Sequence, residues 1–221
     1  MSVRTRLSLS EQHQRQLSRA MQLTLFGLLF VALERQEAAL LVTVSVGLAV
    51  TFLPALLERD HEIPMNAGLT LWITGAAFLH TIGVVGIPGT GQSLYGSIPI
   101  YDNMTHALSA SVVAAAGYAT VRAFDEHADG IDLPARFMFV FILVFVTAFG
   151  VVWELLEFSI AEVAQALGSN TTGFTQHGLD DTLLDLVFDA IGGVVVAIWG
   201  TAHLTDLSDA LWDRLTQLRA E

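Results

Sequence analysis

ARFMFVFILVFVTAFGVVWELLEF, residues 135–158, decides what kind of protein this is. From Phe137 to Trp153 it carries no charge, and then it places two glutamates, Glu154 and Glu157, at i and i+3. A helix needs about 20 mostly apolar residues to cross a hydrocarbon core of roughly 30 Å. This run continues to about Leu167 and has length to spare. It reads as a membrane span that carries acid.

The whole composition agrees. Of 221 residues, 53% are hydrophobic and only 14% are charged, with a mean hydropathy of +0.57. A soluble domain usually carries about 25% charged residues. Cysteine is absent, so disulfides and thiolate ligands are excluded. All ten basic residues are arginine, and the net charge is -12. An acidic, lysine-free chain resembles proteins of high-salt cytoplasms, and its acidity argues against nucleic-acid binding. The first twenty residues hold Arg4, Arg6, Arg15 and Arg19 in a polar stretch with no cleavage pattern after the first apolar run, unlike a secretory signal.

Working outward from residue 135, five further stretches reach or approach span length: Leu17 to Leu33, Ala38 to Leu57, Ala67 to Val85, Tyr101 to Val121 and Thr182 to Leu204. The expectation is an all-α, polytopic membrane bundle of about six transmembrane helices. Residues 1–16 form a cytoplasmic leader, 17–204 the membrane domain and 205–221 a cytoplasmic amphipathic helix. Cytoplasmic loops retain positive charge. With the N-terminus inside, every arginine except Arg35 falls on the cytoplasmic side. Both termini are therefore expected inside a plasma membrane. The loops Glu34 to Glu37, Gly86 to Ile100 and Gly168 to Asp180 then face out. In the tail, Leu207, Leu211, Leu215 and Leu218 share one face. That face suits a cap on the bundle itself, or else a surface or partner contact.

Ionisable groups inside spans are costly and mark function by default. Asp102 and His106 stand at i and i+4 where the fourth span begins. Asp181, Asp185 and Asp189 follow a four-residue stride down the sixth, and His80 ends the third. At about 1.5 Å of rise per residue, Glu154 sits roughly 26 Å above the cytoplasmic end of its helix. By the same rise Asp102, His106, Asp181 and Asp185 lie within about 8 Å of their outer ends. Separate helices thus place their acids in one outer layer. Six carboxylates (Asp102, Glu154, Glu157, Asp181, Asp185 and Asp189) share it with no arginine or lysine there to pair with them, since Arg19 and Arg136 lie at the cytoplasmic ends of their spans. Crowded carboxylates at low dielectric bind protons or bind a cation.

Each residue also has a plainer reading. Asp102 and Asp181 suit helix N-caps. His80 suits a hydrogen-bonded packing role, Asp189 a bond to a neighbouring helix or water, and His177 and His203 ordinary boundary positions. Gly192-Gly193 suits close helix packing. Glu154 and Glu157 are mid-helix and have no capping explanation.

Three segments together, Tyr-Asp-x-x-x-His at Tyr101, Asp102 and His106, Trp-Glu-x-x-Glu at Trp153, Glu154 and Glu157, and Asp-Thr-x-x-Asp at Asp181, Thr182 and Asp185, resemble the YjdF-type inner-membrane proteins. The likeness covers roughly residues 64–200 and extends more loosely to VanZ-like membrane proteins. The chain departs from the YjdF pattern in having Asp189 where a small or amide residue is usual, and in lacking much of the Gly-rich tract before the last motif. The YjdF-type likeness implies a membrane fold and no reaction. VanZ-like proteins are associated with glycopeptide-antibiotic resistance.

Three functions compete. The first is a metal-assisted enzyme acting on a lipid or lipid-linked phosphate at the outer leaflet. Its divalent metal (Mg²⁺, Mn²⁺, Zn²⁺ or Fe²⁺) would be held by His106, Glu154 and Asp185, with His80 and Asp189 as additional candidates. Asp102, Glu157 and Asp181 would orient the ligands or act as general base. The second is a cation- or proton-coupled transporter, disfavoured because titratable residues thin out in the cytoplasmic half. The third is a non-catalytic accessory or scaffold protein whose acids knit the helices together. No nucleotide loop, serine triad or haem-ligand pattern stands out.

Overall fold

A computed structural model of the chain describes residues 9–86, 90, 92–166, 178–200 and 204–220. It is all-α. The helices are α1 (Glu11–Arg35), α2 (Ala38–Thr51), α3 (Leu53–His61), α4 (Ala67–Gly83), α5 (Leu94–Ser97), α6 (Tyr101–His127), α7 (Ala135–Ala166), α8 (Leu179–Trp199) and α9 (Thr205–Ala220). His177, His203, Arg4 and Arg6 lie outside the described residues, as does most of the loop before α8.

Among the described residues, four helices are long and apolar enough to cross a membrane: α1, α6, α7 (over Ala135–Ser159) and α8. A fifth candidate is the stretch expected as one span from Ala38 to Leu57, which is broken. α2 and α3 meet at a 42° bend. Pro54 sits at the start of α3; it has no N–H to donate, and its ring clashes with a carbonyl one turn back. The break is served from outside, since Gln22 Nε2 of α1 donates to the Thr51 carbonyl at 2.9 Å. α4 is apolar but only 17 residues long, so by length it falls short of the other candidates.

Along α7 the residues Met138, Ile142, Val146, Gly150 and Glu154 are all buried. They recur every four residues and so share one stripe. Val140, Val144, Val151, Val152 and Leu155 on the other faces are exposed, as a lipid-facing surface requires. On α8 the buried stripe is Asp185, Asp189, Gly192, Gly193 and Val196. The acids occupy the core faces of their helices.

Two groups of helices build the bundle. α1, α2 and α4 pack on one another around Ala32, Leu40 and Val44. α6, α7 and α8 pack around Ala110, Ala114, Tyr118, Ile142 and Val146, and α4 joins the groups by packing on α6. Small residues let α6 and α8 approach closely. A Cβ at Gly192 would strike the Ala107 carbonyl of α6 and stand 3.0 Å from the Ser111 nitrogen. α9 lies on α6, where Trp212 packs edge-on against Phe124 and His127 Nε2 stands 2.9 Å from Asp209 Oδ1.

Candidate metal centre

The site is built where the first turns of α6 and α8 meet the last third of α7. His106, one turn into α6, is buried. Its Nδ1 stands 3.3 Å from Asp189 Oδ1 of α8. Its Nε2 faces the other way, 3.7 Å from Asp102 Oδ1 and 3.9 Å from Asp185 Oδ1. Three aspartates from two helices therefore surround one imidazole. Asp189 has room to do so because α7 has glycine beside it: a Cβ at Gly150 would strike the Asp189 carboxylate.

Neither Asp102 nor Asp181 is an N-cap. The cap of α6 is Ile100 and that of α8 is Gly178, neither with a side-chain capping bond. Both aspartates lie instead inside the first helical turn, where the helix dipole favours negative charge.

Glu154 is buried, and its Oε2 accepts a hydrogen bond from Thr182 Oγ1 of α8 at 3.0 Å. Glu157 is half-buried and accepts from Trp153 Nε1 at 3.1 Å. Both glutamates lie within electrostatic reach of His106, as does Asp185. Asp181 lies within reach of Glu154 and Asp185. His80 is held above the site by Tyr95, whose Oη stands 3.1 Å from His80 Nδ1. The His80 ring also meets that of Trp153 edge-on at 5.4 Å. Burial raises the Tyr95 phenol well above its ordinary range, so it remains a neutral donor.

Asp102, His106 and Asp185 each offer one ligand atom, and these atoms lie within 4.8 Å of one another. This group could hold a metal ion. Bonds of about 2.1 Å at right-angled or tetrahedral geometry set ligand atoms roughly 3.0 to 3.4 Å apart, closer than the 3.7 and 3.9 Å that separate His106 Nε2 from the two aspartate oxygens, so the side chains would draw together around an ion. Two buried oxygens, Asp185 Oδ1 and Glu154 Oε1, have no hydrogen-bond partner among the described residues. Such atoms are costly unless something meets them. Glu154, expected as a ligand, lies outside the tight group, and Asp102 stands in its place.

Residues 17–206 match the family described as "Predicted membrane protein (DUF2238)". The chain belongs to that family. Among curated proteins, it is similar to an uncharacterized protein of Thermotoga maritima, with 28% identity over 148 residues, 66% of this chain and 68% of the relative. No solved structure matches the chain. The chemistry of this DUF2238 member's site rests on its own residues. Thr182, Tyr95 and Gly150 belong to that site, yet the sequence does not mark them as participants. Thr182 is legible only as part of a motif, and nothing in the pattern around Tyr95 or Gly150 points inward.

Proposed function

We propose that this protein is a metal-dependent enzyme acting on a lipid or lipid-linked phosphate at one face of the membrane. The observation that carries the reading is the buried His106, bracketed by Asp102 and Asp185 on Nε2 and by Asp189 on Nδ1. A histidine ligand commonly gives its second nitrogen to a carboxylate, which sets the tautomer and aims the first nitrogen at the metal. Asp189 suits that role, with His106, Asp185 and Asp102 as ligands. The partnerless Glu154 oxygen suits a further ligand or a base, and Glu157 and Asp181 suit groups that accept or orient protons. An oxygen-rich set with one imidazole fits Mg²⁺, Mn²⁺, Zn²⁺ or Fe²⁺. When bound, such an ion polarises a phosphoryl oxygen or activates water.

The same proposal takes the chain to cross the plasma membrane six times, with α4 and the bent α2–α3 pair as spans and both termini inside. The arginine distribution supports this, because all but Arg35 then lie on the cytoplasmic side. The candidate site then faces out. The three ordered motifs also support placing the chain beside the YjdF-type proteins and, more distantly, the VanZ-like ones.

The test is metal analysis of detergent-purified protein with Mn²⁺ titration. The expected result is one bound ion in the wild type, lost in Asp185→Asn and His106→Gln, both still folded. Protein that binds no divalent ion and keeps its unfolding temperature in chelator would return the site to the scaffold reading.

A further inference from the structure

An apolar cleft of about 280 Å³ lies between α2 and α7, floored by α4 and α6. Its walls do not pack on each other to any extent, whereas α2 packs on α4, α4 on α6 and α6 on α7. Short side chains line it at Ala76, Ala77 and Ala110, which leaves the space open. Val46 and Val50 of α2 and Phe149 of α7 line it and are themselves exposed. Its mouth is therefore on the apolar flank of the bundle, where a bilayer would lie.

The cleft has a direction. It follows α4 from Ile73 to His80 and α7 from Val146 to Trp153, about 10 Å at 1.5 Å per residue. Ile73, Val113 and Val146 line the inner end, and His80, His106, Trp153 and Asp189 the outer end. The polarity thus runs as it does along a membrane lipid, apolar toward the middle of the helices and polar toward their ends.

We infer that this cleft holds one hydrocarbon chain of a membrane lipid, whose headgroup lies beside the His106 cluster. The cleft opens on the apolar flank, where acyl chains of the bilayer are the neighbours at hand, and its polarity runs as theirs does. An anionic headgroup is complementary to the outer end once a cation stands among the carboxylates. The inference deepens the proposed function and rests on it for the headgroup alone.

The experiment uses the full chain in vesicles of phosphatidylethanolamine and phosphatidylglycerol, with a trace of phosphatidylglycerol bearing a mid-chain diazirine. After irradiation, labelled residues are mapped by peptide mass spectrometry. Labelling at Val46, Val50, Val113 or Phe149 is expected several-fold above that at Leu23, Phe26 and Phe30, the exposed face of α1. Ala77→Phe, which fills the cleft from α4, should bring it down to the α1 level. Val50→Trp at the exposed mouth makes the same test without touching the interior. Labelling that is no higher in the cleft than on α1, or that survives both substitutions, overturns the inference. Mn²⁺ binding is measured on the same samples. Cleft labelling without bound Mn²⁺ upholds the chain site and sinks the cation site, and bound Mn²⁺ without cleft labelling does the reverse.

Discussion

The Nδ1 of His106 lies 3.3 Å from the Oδ1 of Asp189, across the interface of α6 and α8. Both side chains are buried, and the contact leaves Nε2 turned toward Asp102 and Asp185. A histidine held this way has one nitrogen engaged across the helix interface and the other facing two carboxylates.

Asp189→Asn should therefore weaken Mn²⁺ binding without abolishing it, by roughly 10- to 100-fold, the usual loss when an orienting partner of a ligand is removed. Isothermal titration of the purified variant beside Asp185→Asn measures it. Equal affinity in Asp189→Asn and wild type would remove Asp189 from the orienting role.

Thr182 and Glu154 form the bond that ties α8 to α7 within the site. Thr182→Val should cost about 1 to 3 kcal/mol, the penalty for leaving a buried acceptor without its donor, read as a lower unfolding temperature in detergent. Glu154→Gln retains an acceptor for Thr182 and should cost less than Thr182→Val. A larger loss in Glu154→Gln would mean that the negative charge itself holds the fold together.

Gly192 separates packing from chemistry. A Cβ there meets the backbone of α6, which cannot move aside as a side chain can. Gly192→Ala should destabilise by about 1 to 3 kcal/mol, the cost of overpacking. Gly27→Ala on α1, where nothing lies within 4 Å, should stabilise by about 0.5 to 1 kcal/mol through its helix preference. Thermal unfolding of the pair in one detergent decides it, and equal shifts would refute the close contact of α6 and α8.

The pH response of Tyr95 has a defined sign. Burial raises its phenol above the ordinary value, about 10 in the unfolded chain. The neutral form is the one the fold favours, so this stability is fully present below about pH 10 and declines as pH rises beyond it. Tyr95→Phe should flatten part of that alkaline decline, at the expense of the bond to His80. An unchanged alkaline limb in Tyr95→Phe would show that the fold does not hold the Tyr95 phenol away from water.

Much of this architecture is legible in the order of the residues. The apolar run from Phe137 to Trp153 requires a helix that buries its backbone in itself, because lipid offers no hydrogen bonds. The four-residue stride of Asp181, Asp185 and Asp189 requires one acidic face. Neither conclusion depends on what lies next to the helix. The break between α2 and α3 is also written in Pro54, yet its bend and its rescue by Gln22 depend on where α1 lies.

Which acids meet which partners is decided only by packing. Spacing along α6 and α8 allows Asp102 to cap a helix or to face His106, and does not say which neighbour Asp189 meets. The close approach allowed at Gly192, and the space left by Gly150, set the two helices so that Asp185 and Asp189 fall on either side of one imidazole. A helical repeat dictates the face on which a residue lies. The distance to a residue on another helix is set by the side chains that those helices lack.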